Sequence, residues 1–307
     1  MNNKTLLLIF AALVLLYLGS QLMGGKKERS FDPEIVNIDT TVVDRIVFHP
    51  KADEFKEVRL EKGAEGWMIS KETVTVPAQG SAVSAMLSEL RNIRASRIAA
   101  KSEEKWGEYE VDAATGNRVQ VYKGAEVLAD LVIGRFAFNP QARSGTSYLR
   151  LNDQPDVYAV DGFLSAGLSR GFNSFRDASL VKFNKDDITS LQFLGMESFN
   201  LNKGPDNQWL ADGNPVDSAK VANFLNNIQN VNGSNFSDGV VASALGDPVQ
   251  SLSISGNNMT APIKVDCYAV SGQQQPFLLH STLNDAYFTS DSTGLFTRLF
   301  KPLVDFQ

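Results

Sequence analysis

Gly167-Leu168-Ser169-Arg170-Gly171 spells G-x-S-x-G. That is the spacing of a nucleophile elbow, in which a serine sits on a sharp turn between a buried strand and a helix. His280 lies downstream with Asp247 and Asp266 between, so the hydrolase order Ser, Asp, His is present. The context argues against that chemistry. Phe163 to Leu168 reads as a short helix rather than a strand, and Gly171-Phe172-Asn173 reads as linker. A serine hydrolase using Ser169 is therefore the weakest of three functional readings.

Other reactive groups are sparse. The histidines are His49 and His280 alone, and neither has the H-x-x-x-H or H-x-H neighbour of a metal site. His49 precedes Pro50 and reads as a surface turn, whereas His280 reads as a strand residue. Cys267 is the single cysteine. It can form no disulfide within the chain and no thiolate metal centre, and its neighbours Val265, Ala269 and Val270 make it a buried strand thiol. The adjacent pairs Glu103-Glu104 and Asp186-Asp187 read as solvated surface. Neither G-x-G-x-x-G nor G-x-x-x-x-G-K occurs, so no nucleotide partner is expected. A net charge of -6 argues against nucleic acid. No catalytic residue, cofactor or metal is expected, and the chain reads as a non-enzyme.

What remains is surface. Arg91, Arg94, Arg97 and Lys101 are spaced by three and four residues. They are expected to continue a helix along its polar side, as a solvated face or as a stripe that docks an acidic partner or anionic lipid. Trp106, beside Tyr109, is the candidate exposed aromatic. These five residues are the possible partner-binding set.

The elements that would carry them occur twice. Trp67 is followed by Val76-Pro77 and then by Val83, Met86, Leu87, Leu90 and Ile93; Trp209 is followed by Pro215-Val216 and then by Val221, Phe224, Leu225, Ile228 and Val231. Such spacing lays the apolar side chains along one helical stripe. The two tryptophans, at equivalent places after a turn, read as core anchors. Strand-like runs flank each helix: Val42 to Phe48, Glu57 to Lys62, Arg118 to Tyr122, Val127 to Ile133, Ser147 to Leu151 and Val157 to Val160 in the first copy. The second has Ile188 to Leu194, Ser198 to Lys203, Val249 to Ile254, Ile263 to Val270, Gln275 to His280 and Asp285 to Thr289. The pattern predicts an α+β fold, a tandem duplication of an antiparallel-sheet-plus-helix module, with modules at 31–172 and 173–307.

Ahead of both lies an apolar stretch from Leu6 to Met23, which as a helix would extend about 27 Å, close to the thickness of a bilayer's hydrocarbon core. Gly19-Ser20-Gln21 is a poor signal-peptidase site and no lipoprotein cysteine follows, so residues 1–30 are expected to be an uncleaved transmembrane anchor and linker. Lys26, Lys27 and Arg29 after the run, against Lys4 before it, favour a cytoplasmic body when counted strictly. The short tail and the Asn/Ser-rich second half favour export. The expectation is a single-pass inner-membrane protein with a periplasmic body.

The order Trp, Pro, helix, together with Val132-Ile133-Gly134-Arg135, Tyr148-Leu149-Arg150, Val157-Tyr158-Ala159-Val160 and Phe175-Arg176-Asp177, resembles the bacterial domain-of-unknown-function family 4340. The likeness covers most of the chain after the anchor. It implies one N-terminal membrane anchor and the company of gliding-motility and auxiliary-type ABC transporters, and it implies no catalytic residue. The resulting expectation is an accessory or scaffold subunit of an envelope assembly, with an ABC-transporter permease or related subunit as partner. A binding module for an envelope polymer or peptide is the second reading.

Overall fold

Alternating apolar residues build antiparallel sheets in both halves of the chain. In the strand Asn117–Lys123, positions 117, 119 and 121 are buried while 118, 120 and 122 are half-exposed, as a period of two demands. The computed structural model describes residues 31–270 and 274–307. The anchor expected at 6–23 and its linker lie outside them. Among the described residues no helix is long and apolar enough to cross a membrane. The chain divides into two compact units, one of residues up to 72 with 80–172, the other of 73–79 with 173–307.

The first unit contains β1 (Glu34–Asn37), β2 (Arg45–Phe48), β3 (Val58–Gly63) and β4 (Gly66–Lys71). The next strand, β5 (Val74–Pro77), goes with the second unit. Helix α1 (Gly80–Arg91) follows, then β6 (Asn92–Arg94), β7 (Arg97–Ala100) and one helical turn, α2 (Trp106–Tyr109). β8 (Asn117–Lys123), β9 (Glu126–Asn139), β10 (Ser144–Leu151), β11 (Val157–Asp161) and α3 (Leu164–Leu168) complete the unit. Its main sheet sets β4, β3, β2, β8, β9, β10, β11 and β7 side by side. α1 buries Val83, Met86 and Leu90 completely or nearly so, with Leu87 only half-buried. Each such side chain contributes roughly 1.5–3 kcal/mol.

The helix stops at Arg91, which corrects the expected cationic stripe. Arg94 lies in β6 and Arg97 in β7, and β6 pairs antiparallel with β1. Long-range strand pairing overrides the local period, because Ile93 is 2% exposed in β6 just as it would be on a helix. Trp106 also differs from expectation. It is half-buried against a small second core of Val111, Val132, Tyr148, Val157 and Ala159. Trp67 too is only half-buried.

In the second unit, β12 (Ser179–Lys182), β13 (Ile188–Leu194), β14 (Phe199–Lys203), β15 (Trp209–Ala211) and β16 (Asn214–Pro215) precede helix α4 (Ser218–Ile228). β17 (Asn230–Asn232), β18 (Gln250–Gly256), β19 (Ile263–Ala269), β20 (Phe277–Ser281), β21 (Tyr287–Ser290) and α5 (Gly294–Leu299) follow. The sheet order is β16-β15-β14-β13-β18-β19-β20-β21. Asp217 caps α4, accepting from the amides of Ala219 at 2.8 Å and Lys220 at 3.3 Å. The core centres on Phe193, Phe199, Phe224 and Phe306, with ring centroids 4.6–6.1 Å apart. Trp209 is 4% exposed beside them, in the anchoring place expected of it. The fold is mainly antiparallel β with few helices, an α+β arrangement.

Candidate binding site

The elbow reading fails on local geometry. Ser169 follows helix α3, with no strand immediately before it, and its amide donates to Ser165 O at 3.1 Å as an ordinary helix end. The two glycines have packing reasons instead. A Cβ on Gly167 would fall 2.0 Å from Glu89 Oε2, and one on Gly171 would fall 2.7 Å from Asp53 Oδ2. Asp53 is pinned there, accepting from Phe172 N at 2.6 Å and pairing with Lys71 Nζ at 2.7 Å. Among the described residues Glu89 Oε2 has no hydrogen-bond partner, and burial pushes its carboxyl pKa up against the pull of Arg170. Ser169 and His280 belong to different units.

The remaining chemistry gathers on one face of the second unit's sheet. Register sets Ser251 opposite Asp266, Asp266 opposite His280, and His280 opposite Tyr287, across β18, β19, β20 and β21. Ser251 Oγ donates to Asp266 Oδ1, and Lys264 Nζ sits 3.0 Å from the same oxygen. The His280 ring stacks on Tyr287 at 4.6 Å, and Tyr268 is 6.4 Å from Tyr287. Burial lowers the His280 pKa, against the nearby carboxylates of Asp266 and Asp285. A Ser–His–Asp relay needs the imidazole between hydroxyl and carboxylate. Here the carboxylate is in the middle, and among the described residues neither imidazole is hydrogen-bonded to a hydroxyl or thiol. His49 follows β2 just ahead of the turn at Lys51–Asp53 and is half-buried, and among the described residues its Nδ1 is buried without a partner. Cys267 is buried, and burial first, then Asp266, pushes its thiol up to about 12. Among the described residues no group of three His, Cys, Asp or Glu could hold a metal ion.

Tyr287 also walls a cleft of about 410 Å³, wholly within the second unit. Val76, Pro77, Leu283 and Ala286 give it apolar sides, and Asp177, Asp238 and Asp285 stand around it. Its one cation is committed. Arg176, 6% exposed, donates from both Nη atoms to Asp238 at 3.0 and 2.7 Å, and its guanidinium lies 3.8 Å over the Phe236 ring. Asp177 Oδ1 accepts from Ser179 N at 2.9 Å, and Asn284 bridges Ser179 O and Ala286 N. Fixed polar groups around apolar walls make a surface for binding.

The sequence-derived partner set lies elsewhere, in the first unit, and the structure does not gather it into one stripe. Arg94 Nη1 pairs with Glu34 at 3.2 Å, while Arg91, Arg97 and Lys101 are exposed on three different segments. Trp106 Nε1 donates to Pro155 O at 3.0 Å, and Arg150 stacks over its ring at 3.8 Å. Arg150 is 5% exposed and donates to the carbonyls of Val111, Leu151 and Asn152. Sequence reasoning missed both the cleft and the Ser251–Asp266–His280–Tyr287 row. The row's only local signal is that each residue occupies an outward position of its strand.

Searches of curated proteins and of solved structures find no match. The family comparison does: a domain of unknown function, DUF4340, matches residues 67–246, a span that starts at Trp67 and takes in both long helices and the cleft's Asp238. By that match over more than half its length, the chain belongs to the DUF4340 family.

Proposed function

We propose that this chain is a non-enzymatic, membrane-anchored accessory or scaffold subunit of a bacterial envelope assembly, an ABC-transporter complex, with its body in the periplasm. The observation that carries the reading is the second unit's cleft. Its buried cation is paired with Asp238, Asp177 and Asn284 are held in local bonds, and Asp285 stands beside the apolar Val76, Pro77, Leu283 and Ala286. Such a surface suits an extended segment of a partner that presents an apolar side chain next to a basic one. The apolar run at 6–23 supplies the anchor. We further read the two units as products of one duplication. In each, a helix gives way to a three-residue strand that returns to a short early strand, with the same skip in register: Glu34↔Arg94 then Val36↔Ile93, and Ser179↔Asn232 then Val181↔Val231.

Extraction of the full tagged chain in mild detergent tests this. A stoichiometric membrane-protein partner is expected to co-elute with the wild type and to be lost with Leu283→Asp or Tyr287→Ala. Recovery of a lone monomer refutes the reading. A second reading, binding of an envelope glycan, is favoured by the Tyr268, His280 and Tyr287 rings on one sheet face. Retention on cell-wall material that is insensitive to Tyr268→Ala would remove it.

A further inference from the structure

Two of the most exposed aromatic side chains of the first unit stand together. Phe138 is 54% exposed and Phe163 57% exposed. With Phe136 they form a cluster whose centroids lie 5.1 Å (Phe136–Phe163) and 6.5 Å (Phe138–Phe163) apart. The register explains how they come to be uncovered. Ile133 faces Leu149 and Phe136 faces Ser147, so β9 carries one residue more than β10 between those pairs. The extra residue returns Phe136 and Phe138 to the face of Leu131 and Ile133, which is fully buried. The apolar stripe of the core thus runs on to the turn end of the hairpin, where solvent reaches it. Arg143 is exposed in the turn between β9 and β10.

The chain enters the unit beside this patch, Phe31 itself packing on Tyr158 of β11 with ring centroids 6.0 Å apart. Phe163 and Leu164 line a hollow of about 400 Å³ together with Asn92, Ile93 and Arg94 of β6. β6 is the partner of β1, the first strand after residue 31, and Ala95 N donates to Pro33 O at 2.7 Å. From Met23, the end of the apolar run, to Phe31 is eight residues, which can span at most roughly 28 Å. That tether carries Lys26, Lys27 and Arg29, cations suited to anionic headgroups.

We propose that the Phe138–Phe163 face of the first unit lies against the phospholipid bilayer, with the two rings seated at the boundary of headgroups and acyl chains. Exposed aromatic rings beside arginine suit that boundary. A tether this short keeps the face that receives it close to the lipid. The inference rests on the anchored reading above but concerns a surface separate from the cleft.

Cys267 is buried, so a single introduced surface cysteine can be labelled selectively in the full chain. β9 runs antiparallel to β8, β8 to β2 and β2 to β3, so β9 and β3 point in opposite directions. Ala142, after β9, and Ala64, after β3, therefore mark opposite ends of the sheet. Ala142→Cys and Ala64→Cys proteins, each carrying an environment-sensitive fluorophore, are reconstituted into phosphatidylcholine–phosphatidylglycerol vesicles containing headgroup-level nitroxide lipid. Quenching is expected to be several-fold stronger at position 142 than at 64. It should fall to the position-64 level when Phe138→Ser and Phe163→Ser are added. Equal quenching at the two positions in the otherwise unchanged chain overturns the proposal, whether or not the double variant folds. Flotation of the same samples separates the two ideas. A chain that floats yet shows equal quenching refutes only the lipid-facing patch, whereas a chain that does not float refutes the anchor as well.

Discussion

Replacing Trp106 decides between an aromatic offered to a ligand and an aromatic that holds the first unit together. The indole stacks on a buried guanidinium, a contact of roughly 0.5–2 kcal/mol. Its N–H bond to Pro155 is a net gain of about 1 kcal/mol. The half of the ring pressed on the second core removes on the order of 100 Å² of apolar surface from water, near 2.5 kcal/mol. These contributions overlap, since one geometry makes all three, so Trp106→Ala should cost about 3 kcal/mol rather than their sum. Trp106→Phe keeps the stack and loses the N–H, and should cost about 1 kcal/mol. The loss should be local, because Arg150 and Val157 sit on β10 and β11. Hydrogen–deuterium exchange of the detergent-solubilised full chain reads it directly. Amides of 144–161 should exchange about a hundredfold faster in Trp106→Ala where they open through this unit's unfolding. Unchanged exchange there, with a midpoint of urea unfolding equal to wild type, would refute the packing argument and return Trp106 to the surface.

Two further outcomes follow from the same structure. Gly171→Ala should destabilise by about 1–3 kcal/mol, because the new methyl meets the pinned Asp53 carboxylate, whereas Ser169→Ala should stay within about 0.5 kcal/mol; thermal melts of both variants check this, and labelling of Ser169 by a serine-directed phosphonate would contradict it. The lowered pKa of His280 means that the folded state resists protonation. Its contribution is therefore fully favourable above the unfolded value near 6.5 and is lost as pH falls through the folded one. Stability measured between pH 7.5 and pH 5.5 should fall less steeply in His280→Gln than in wild type, and equal slopes would count against the burial assigned to this ring.

Much of the secondary structure was legible because it follows local periods. The alternation in Arg118 to Tyr122 and the three-and-four spacing of Val221, Phe224, Leu225 and Ile228 each gave the right element, since burial of one face is what selects both. The cationic stripe shows where that reasoning ends. Arg91, Arg94 and Arg97 fit a helical face, but Asn92–Arg94 is claimed by β1, more than fifty residues earlier. A pairing between distant segments leaves no mark on the period. The same holds for the candidate site. Ser251, Asp266, His280 and Tyr287 align only once three hairpin registers are fixed, and the cleft collects residues from 76, 176, 238 and 283–287. Trp106 differs for another reason: Arg150, a charged residue, stacks on its ring while the cluster around Val111 and Val157 takes the rest.

The assignment of residues 73–79 to the second unit has a consequence for how the protein is made. That stretch is synthesised some hundred residues before the rest of its unit, so the cleft it helps to wall is completed only when 173 onward has followed. A fragment begun at 173 would lack Val76 and Pro77, hence one wall of the cleft, so cutting at the apparent joint would remove part of the site.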